Sequence, residues 1–154
     1  MNEPKEIEVR QATIFDLDIL VPLFDAYRRF YRKESDPDLA RRFLRERFQH
    51  NQSVIFLAVR PDGSGAGFTQ LYPIFSSALA ARTFILNDLY VLPECRRRNV
   101  GARLLGAAAA FGRAAGAVRL NLSTEVTNQA AQALYESAGW IRQEDFYVYT
   151  LALV

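Results

Sequence analysis

The sequence predicts a mixed α/β fold, with a central sheet of about seven strands flanked by four helices. Segments of alternating polar and apolar residues take turns with segments whose apolar residues recur at helical spacing. A strand–helix–strand order over residues 82–124 predicts parallel pairing through a right-handed crossover. The turn cluster Pro61-Asp-Gly-Ser-Gly65 lies between two apolar runs and predicts an antiparallel hairpin. A length of 154 residues suits a single domain over 1–154.

The first third of the chain predicts one strand and two helices. Residues 6–12 alternate in polarity and form the first strand. Residues 16–32 carry apolar side chains at helical spacing, with Asp16 suited to the N-cap. Because Pro22 lies inside this segment, the helix is either kinked or starts late. The run Asp36-Pro37-Asp38 predicts the start of the second helix, since it supplies a cap, a first-turn proline and an acidic residue.

The remaining elements follow the same two periods, with glycines at the predicted helix ends. In chain order they are strands at 53–60, 66–75 and 82–92, a helix at 100–115 that ends at Gly116, a strand at 118–124, a helix at 128–138 that ends at Gly139, and strands at 140–143 and 146–153.

Composition excludes several classes of protein. The net charge of +2 is too small to demand nucleic acid or an anionic membrane as a partner. Neither a signal peptide nor a membrane-spanning run is recognisable, so a cytoplasmic location is expected. One cysteine, Cys95, and one histidine, His50, provide neither a disulfide nor the ligand spacing of a metal site. Without a nearby histidine in sequence, Cys95 is interpreted as an inert thiol and not as a nucleophile.

The loop before the third helix has the features of a phosphate site. Backbone amides at a helix start are unpaired, and the helix dipole adds partial positive charge. Arg96-Arg97-Arg98 adds cationic side chains, Gly101 permits close approach of a ligand, and Asn99 tolerates a left-handed conformation. The spacing of a Walker loop or of a dinucleotide fingerprint is absent. On physical grounds alone, a solvated basic loop that caps the helix is an equal alternative.

Two motifs resemble the GNAT superfamily of N-acetyltransferases. Arg96-Arg-Arg-Asn-Val-Gly101 is similar to its signature of Arg or Gln, two residues, Gly, one residue, and Gly or Ala, with Asn99 in place of the first glycine. Asn128-Gln-Ala-Ala-Gln-Ala-Leu-Tyr-Glu-Ser-Ala-Gly-Trp140 resembles its Asn…Ala…Leu-Tyr-Glu…Gly-Phe/Trp segment. The run Leu86-Asn-Asp-Leu-Tyr-Val91 is similar to the branch of histone and polyamine acetyltransferases. The resemblance covers most of the chain in element order and is sharpest over residues 84–146.

The resemblance implies acetyl-CoA as the acetyl donor, with no metal, and assigns residues to it. Asn128 would bond the donor near the thioester, and Tyr135 would protonate the departing thiolate, although a packing role for Tyr135 is the alternative from helix pattern alone. A backbone amide near Val91 would polarise the thioester carbonyl. The pyrophosphate is assigned to Arg96, Arg97, Arg98, Asn99, Val100, Gly101 and Ala102, and the pantetheine arm to the backbone of Leu89, Tyr90 and Val91.

The acceptor side is less well defined. An alkylamine with a pKa near ~10 must lose a proton before it attacks. Some relatives place a glutamate at the position of Asn87, and an amide cannot act as a base. Asp88, Glu125 or a water chain remain as candidates. Tyr31, with neighbouring aromatic and acidic residues, is a candidate for recognition of a cationic amine, with packing as the alternative.

These observations predict direct transfer of an acetyl group from acetyl-CoA to a primary amine of a small molecule or protein, without a covalent intermediate. The alternative is a non-catalytic acyl-CoA-binding sensor or subunit. A nucleic-acid-binding module is disfavoured by the modest charge and the lack of a recognised motif. The apolar segment 147–154, together with the family resemblance, predicts a possible homodimer with an exchanged or shared strand edge.

Overall fold

A computed structural model describes residues 6–154 and contains one five-stranded sheet. The strands lie side by side in chain order. Neighbours pair antiparallel from β1 to β4, and β5 pairs parallel to β4, as the strand–helix–strand pattern predicted. The strands are β1 Glu8–Gln11, β2 Val54–Val59, β3 Gly65–Ser76, β4 Ala81–Val91 and β5 Leu120–Asn121.

Four α-helices accompany the sheet in the described part of the chain, which confirms the mixed α/β prediction. The second helix begins where its Asp36 cap predicted, because the Asp36 side chain accepts a hydrogen bond from the Leu39 amide at 3.0 Å. Short 3₁₀ turns precede the first and third helices. The helices are α1 Leu17–Phe30, α2 Pro37–Gln49, α3 Val100–Ala114 and α4 Gln129–Ser137.

The start of α1 differs in detail from the prediction. The helix does not start late, since Pro22 lies inside it. Asp16 does not cap α1 through its side chain; its carboxylate accepts from the Thr13 amide at 2.8 Å and pairs with Arg10 at 2.7 Å. Thr13 caps the preceding 3₁₀ turn. The chain thus enters α1 through a reciprocal capping box.

The predicted count of seven strands is wrong for residues 6–154, which contain five. Segments 140–143 and 146–153 have the composition of strands but no strand assignment, and the predicted strand at 118–124 is reduced to Leu120–Asn121. A strand exists through its ladder of hydrogen bonds to a neighbour, and the described residues offer segments 140–143 and 146–153 no such neighbour. The composition of these segments therefore predicted more strands than the sheet contains.

The sheet is covered by helices on both faces. On one face, α1 packs Phe24 against Phe68 of β3, with ring centroids 6.1 Å apart. On the other, Phe111 of α3 lies 5.9 Å from Phe56 and 5.6 Å from Phe84. Successive side chains of a strand point to opposite faces of the sheet and pack against the helices on both faces. β2, β3 and β4 are therefore buried on two sides.

The chain divides into two compact units, Met1–Ser123 and Thr124–Val154. The first contains the sheet and α1 to α3. The second contains α4, whose N-cap Asn128 accepts from the Ala131 amide at 3.1 Å. Within residues 6–154, the longest helices are too short or too polar to cross a lipid bilayer.

Candidate active site

A β-bulge in β4 determines which face of the sheet receives Asp88. Gln70 of β3 opposes Asp88, but the next residue of β3 opposes Leu86, so Asn87 is an extra residue in β4. Phe84 contacts Phe111 on the α3 side of the sheet. Without a bulge, Asp88 would face the same way, because it lies four residues on. The extra residue turns Asp88 to the opposite face, beneath α1.

Uncharged side chains hold the buried Asp88 carboxylate in a hydrogen-bond network. Gln70 Nε2 donates to Asp88 Oδ2 at 2.5 Å, and Asn87 Nδ2 donates to Oδ1 at 2.7 Å. The Tyr27 hydroxyl donates to the Asn87 carbonyl oxygen at 3.3 Å and also interacts with the Asp88 carboxylate. Ser53 Oγ donates to Gln70 Oε1 at 2.7 Å. We call these five residues the Asp88 cluster.

Asp88 is a buried carboxylate without a cationic partner among residues 6–154. Its exposed fraction is 2%. The two other buried aspartates have cations, Asp16 with Arg10 at 2.7 Å and Asp25 with Arg29 at 3.6 Å. No Arg, Lys or His nitrogen of residues 6–154 lies within ion-pair distance of Asp88. An uncompensated buried carboxylate favours a bound cation, and an ammonium group is of suitable charge.

The surroundings of Asp88 raise its pKa. Burial is the largest cause, and the hydrogen bonds from Asn87, Gln70 and Tyr27 oppose it in part. Burial also raises the pKa of the Tyr27 hydroxyl, so that this group stays protonated through the neutral range. A carboxylate with an elevated pKa is a better proton acceptor than an exposed one.

Aromatic rings adjoin the cluster on the α1 side. The Tyr27 ring lies 5.1 Å from Tyr31 and 5.9 Å from Phe68. Phe30 lies 6.4 Å from Tyr90, the residue of β4 that follows Asp88 on the same face. Tyr31 is 36% exposed, so it borders solvent while Tyr27 lines the interior. Such a set of rings beside a carboxylate suits an organic cation.

β4 separates from β5 next to Asp88. The parallel pairing covers Phe84 and Ile85, and the remainder of β4 is unpaired on that side among residues 6–154. Leu92 donates its amide to Ala66 on the β3 side. Because backbone groups alternate sides along a strand, Leu89 and Val91 present theirs to the open side. This geometry suits the predicted pairing with an amide-containing pantetheine arm, and Arg96 Nε already occupies the Val91 carbonyl oxygen at 3.0 Å.

The basic loop, residues 93–99, leads from β4 into α3 with two left-handed residues. Asn99 has φ 61°, as its residue type predicted, and Arg97 has φ 61°, which the sequence analysis did not predict. Cys95 is 1% exposed and anchors the loop in the core, consistent with an inert thiol. Arg96, Arg97 and Arg98 are exposed. The Arg96 guanidinium lies 5.8 Å from the Tyr90 ring.

The N-terminus of α3 has free hydrogen-bond donors. Asn99 makes no side-chain cap, and within residues 6–154 the amides of Val100, Gly101 and Ala102 have no backbone acceptor. Three amides at a helix start beside exposed arginines suit an anion. The residues therefore fit the pyrophosphate of a CoA donor in both charge and donor type.

The second unit contains the other predicted residues. Asn128 uses its Oδ1 as the cap of α4, which leaves its amide nitrogen for a ligand. The half-buried Tyr135 ring lies 6.2 Å from Trp140. Glu125 is exposed and accepts hydrogen bonds from Asn128 and Gln132 through its backbone carbonyl oxygen. The roles of Asn128, Tyr135 and Glu125 remain predictions.

Sequence reasoning missed two members of the Asp88 cluster, Gln70 and Ser53. One signal was present, because Thr69 and Gln70 are polar residues in the middle of an otherwise apolar strand. The partners of such residues depend on strand register and on the bulge, neither of which the sequence displays. In residues 6–154 no group of three His, Cys, Asp or Glu side chains has a spacing that suits a metal ion.

Known acetyltransferases are similar to this chain in sequence and in fold. The uncharacterized N-acetyltransferase YhfO of Bacillus subtilis strain 168 is 43% identical over 94% of this chain and 97% of its own. The crystal structure of a probable acetyltransferase is 44% identical, with a TM-score of 0.90 over 96% of this chain and 98% of that one. An aminoglycoside N-acetyltransferase in complex with CoA shares the fold at 20% identity, with a TM-score of 0.82 over 98% of both chains.

The model of the Acetyltransferase (GNAT) family matches residues 20–140, which include the Asp88 cluster, the basic loop and α4. The match thus covers the elements that the geometry identified. On this evidence, the chain belongs to the GNAT family and is an acetyltransferase.

Proposed function

We propose that this protein transfers an acetyl group from acetyl-CoA to a primary amine of a small molecule or protein, by direct attack in a ternary complex. The observation that carries the proposal is Asp88, a buried carboxylate without a cation, three residues before the end of a strand that leads into an anion site. Attack on an acetyl thioester needs an anionic donor and a cationic acceptor close together. The proposed anion site at the start of α3 suits the anionic donor, and the Asp88 carboxylate suits the cationic acceptor.

The donor binds through the basic loop and the start of α3. The free amides of Val100, Gly101 and Ala102 receive the pyrophosphate, with Arg97 and Arg98 as exposed countercharges. Leu89 and Val91 offer backbone groups to the pantetheine arm at the open side of β4. Acetyl-CoA supplies the activated acetyl group; this chain orients it.

The acceptor binds as an ammonium ion at Asp88, with Tyr31 at the solvent border. A small-molecule amine fits the aromatic surroundings, and the likeness of residues 86–91 to the polyamine branch supports a cationic acceptor. The known aminoglycoside acetyltransferase with the same fold makes aminoglycosides a second class to test. Glu125 is a candidate for attracting polycationic acceptors, since its carboxylate belongs to an exposed residue.

The proposed chemistry balances in protons. Asp88 accepts one proton from the ammonium ion and passes it to solvent. The neutral amine nitrogen then forms the new C–N bond, and the C–S bond breaks. Tyr135 donates its hydroxyl proton to the departing sulfur, and the second proton lost by the nitrogen restores Tyr135. The amide nitrogen retains one hydrogen, and the net reaction releases one proton.

Calorimetric titration with acetyl-CoA, followed by free-thiol release over a panel of aminoglycosides, diamines, amino acids and peptides, tests the proposal. We expect binding and thiol release that depends on the amine. Binding without release from any amine would favour the alternative function, a non-catalytic acyl-CoA sensor or subunit. Absence of binding would overturn the proposal. Tyr135→Phe separates the roles further, since it should lower the rate and preserve donor affinity.

We also propose that the protein acts as a homodimer in the cytoplasm and that residues 1–154 form one catalytic domain. The family match spans both units. Eight large apolar side chains of residues 141–154 are at least 80% exposed, which is unusual for a monomer in water. The segment 146–153 has strand character and carries no charge after Asp145, so an identical apolar surface suits it better than a charged partner. The eight exposed apolar side chains are Ile141, Phe146, Tyr147, Val148, Tyr149, Leu151, Leu153 and Val154.

Light scattering after gel filtration tests the dimer. The wild type should have twice the chain mass of 17.5 kDa. Tyr147→Asp combined with Tyr149→Asp should yield a monomer, because two charges would have to be buried. The exposed Glu144→Gln serves as a matched control and should remain dimeric. A monomeric wild type would contradict the proposal.

A further inference from the structure

We propose that Gln70, oriented by Ser53, is a positioning residue that keeps Asp88 in its ionised, proton-accepting form; this inference rests on the proposed function. Gln70 touches neither donor nor acceptor in the proposed arrangement. It acts through Asp88, and Ser53 acts through Gln70.

The hydrogen bonds that link Ser53, Gln70 and Asp88 fix the orientation of the Gln70 amide. Ser53 Oγ lies 2.7 Å from Gln70 Oε1 and donates to it. The opposite end of the same amide, Nε2, therefore faces Asp88 Oδ2 at 2.5 Å as a donor. A donor complements a carboxylate and does not complement the hydroxyl of a carboxylic acid. The network thus favours the ionised form of Asp88.

The hydrogen bond between Gln70 and Asp88 has a large effect on the Asp88 pKa because both residues are buried. Gln70 is 0% exposed and Asp88 is 2% exposed, so water cannot replace the amide donor. Burial by itself raises the pKa of Asp88, and the Gln70 bond is one of three contacts that lower it. Without the amide, Asp88 would retain its proton to a higher pH and would lose both its charge for the ammonium ion and its capacity as a base.

Other titratable groups near Asp88 do not account for such an effect. Tyr27 faces it from α1 and Tyr72 from β3, and burial raises the pKa of both hydroxyls above the neutral range. The charge of Arg47 of α2 opposes the rise in the Tyr72 pKa only in part. A titration seen in this cluster at neutral or acidic pH therefore belongs to Asp88.

The first experiment measures the Asp88 pKa directly, with ¹³C-labelled aspartate and NMR, and assigns the signal by its loss in Asp88→Asn. Gln70→Leu should raise the Asp88 pKa by about one unit, because a hydrogen bond to a charged group is lost. Ser53→Ala should raise it by less, since the amide remains but can rotate. This readout does not need an acceptor substrate, so it stands if the proposed function fails.

Thr69→Val provides the matched control. Thr69 is the neighbour of Gln70 and is 0% exposed, but its hydroxyl donates to the backbone carbonyl oxygen of Asp88 at 2.8 Å and not to the carboxylate. Its removal loosens the same strand pair and should leave the Asp88 pKa unchanged. An unchanged Asp88 pKa in Gln70→Leu, or an equal rise in Thr69→Val, would overturn the inference.

Kinetics supply the second readout. Where the panel yields an acceptor, the acidic limb of kcat/KM should move to higher pH by the same shift in Gln70→Leu, with donor affinity unchanged. A uniform loss of rate without movement of the limb would reduce Gln70 to a structural residue. Raising the pH should rescue Gln70→Leu and should not rescue Asp88→Asn, which has no carboxylate to ionise.

Discussion

The basic loop and the Asp88 cluster adjoin the same half of β4, yet they are built in opposite ways. The loop is exposed and its donors are backbone amides at the start of α3. The cluster is centred on the buried Gln70 and Asp88, and it consists of side chains from α1, β3, β4 and the residue before β2. The loop depends on backbone conformation in one segment, whereas the cluster depends on contacts between distant segments.

Because of this difference, the basic loop and the Asp88 cluster should be sensitive to different kinds of substitution. A backbone site tolerates many side-chain changes but is sensitive to residues that must adopt a left-handed conformation. A buried side-chain site tolerates almost no change at its central charge, because nothing else nearby can replace it. Substitutions in the two regions should therefore differ in the parameter they affect as well as in size.

Asp88→Asn should produce the largest effect. We expect kcat/KM for the amine to fall by about 100-fold or more, the usual contribution of a positioned proton acceptor. Acetyl-CoA affinity, measured by calorimetry, should remain within a factor of about two, since the donor amides are untouched. Asp25→Asn is the matched control, because Asp25 is also buried but is bonded to Ser35 and the Asp36 amide. Equal losses in both variants would argue against a special role for Asp88.

The same difference explains what the sequence predicted. The left-handed Asn99 and the Asp36 cap of α2 are local features, and both were correctly predicted from residue type and spacing. The place of Asp88 was not predictable, since a single extra residue at Asn87 reverses the faces of the strand. The last two predicted strands failed for a related reason: their sequence is suitable, but pairing depends on a neighbour that no local pattern reveals.

A substitution at Asn99 should change the affinity for acetyl-CoA and leave the acceptor site unaffected. Asn99→Val places a β-branched residue at φ 61°, which costs about 1–2 kcal/mol in this conformation. The loop would relax away from its donor geometry, and acetyl-CoA affinity should fall by about tenfold. Asn99→Gly is the matched control and should bind nearly as the wild type, since glycine adopts this conformation freely. Titration calorimetry distinguishes the two; equal affinities would show that the loop conformation is not needed.

The smallest expected effects concern stability. The contributions of Asp16 and Asp88 to the free energy of unfolding should change with pH in opposite directions. Arg10 lowers the pKa of Asp16, so ionised Asp16 stabilises the fold above its unfolded pKa of about 3.8. That contribution is lost as pH falls through the lowered pKa. Burial raises the pKa of Asp88, so ionisation of Asp88 weakens the fold as pH rises from about 3.8 through the raised value.

Urea unfolding of Asp16→Asn and Asp88→Asn at pH 4, 5.5 and 7 measures this contrast. At pH 7, Asp16→Asn should lower the free energy of unfolding by about 1 kcal/mol, a modest value because Arg10 is partly exposed. Asp88→Asn should raise it by about 1 kcal/mol, and the gain should shrink as pH falls through the raised pKa of Asp88, because the wild-type carboxyl then takes up its proton. A loss of stability in Asp88→Asn at pH 7 would mean that the carboxylate is held for structure, whereas a gain would mean that the fold tolerates an unfavourable buried charge because the reaction needs it.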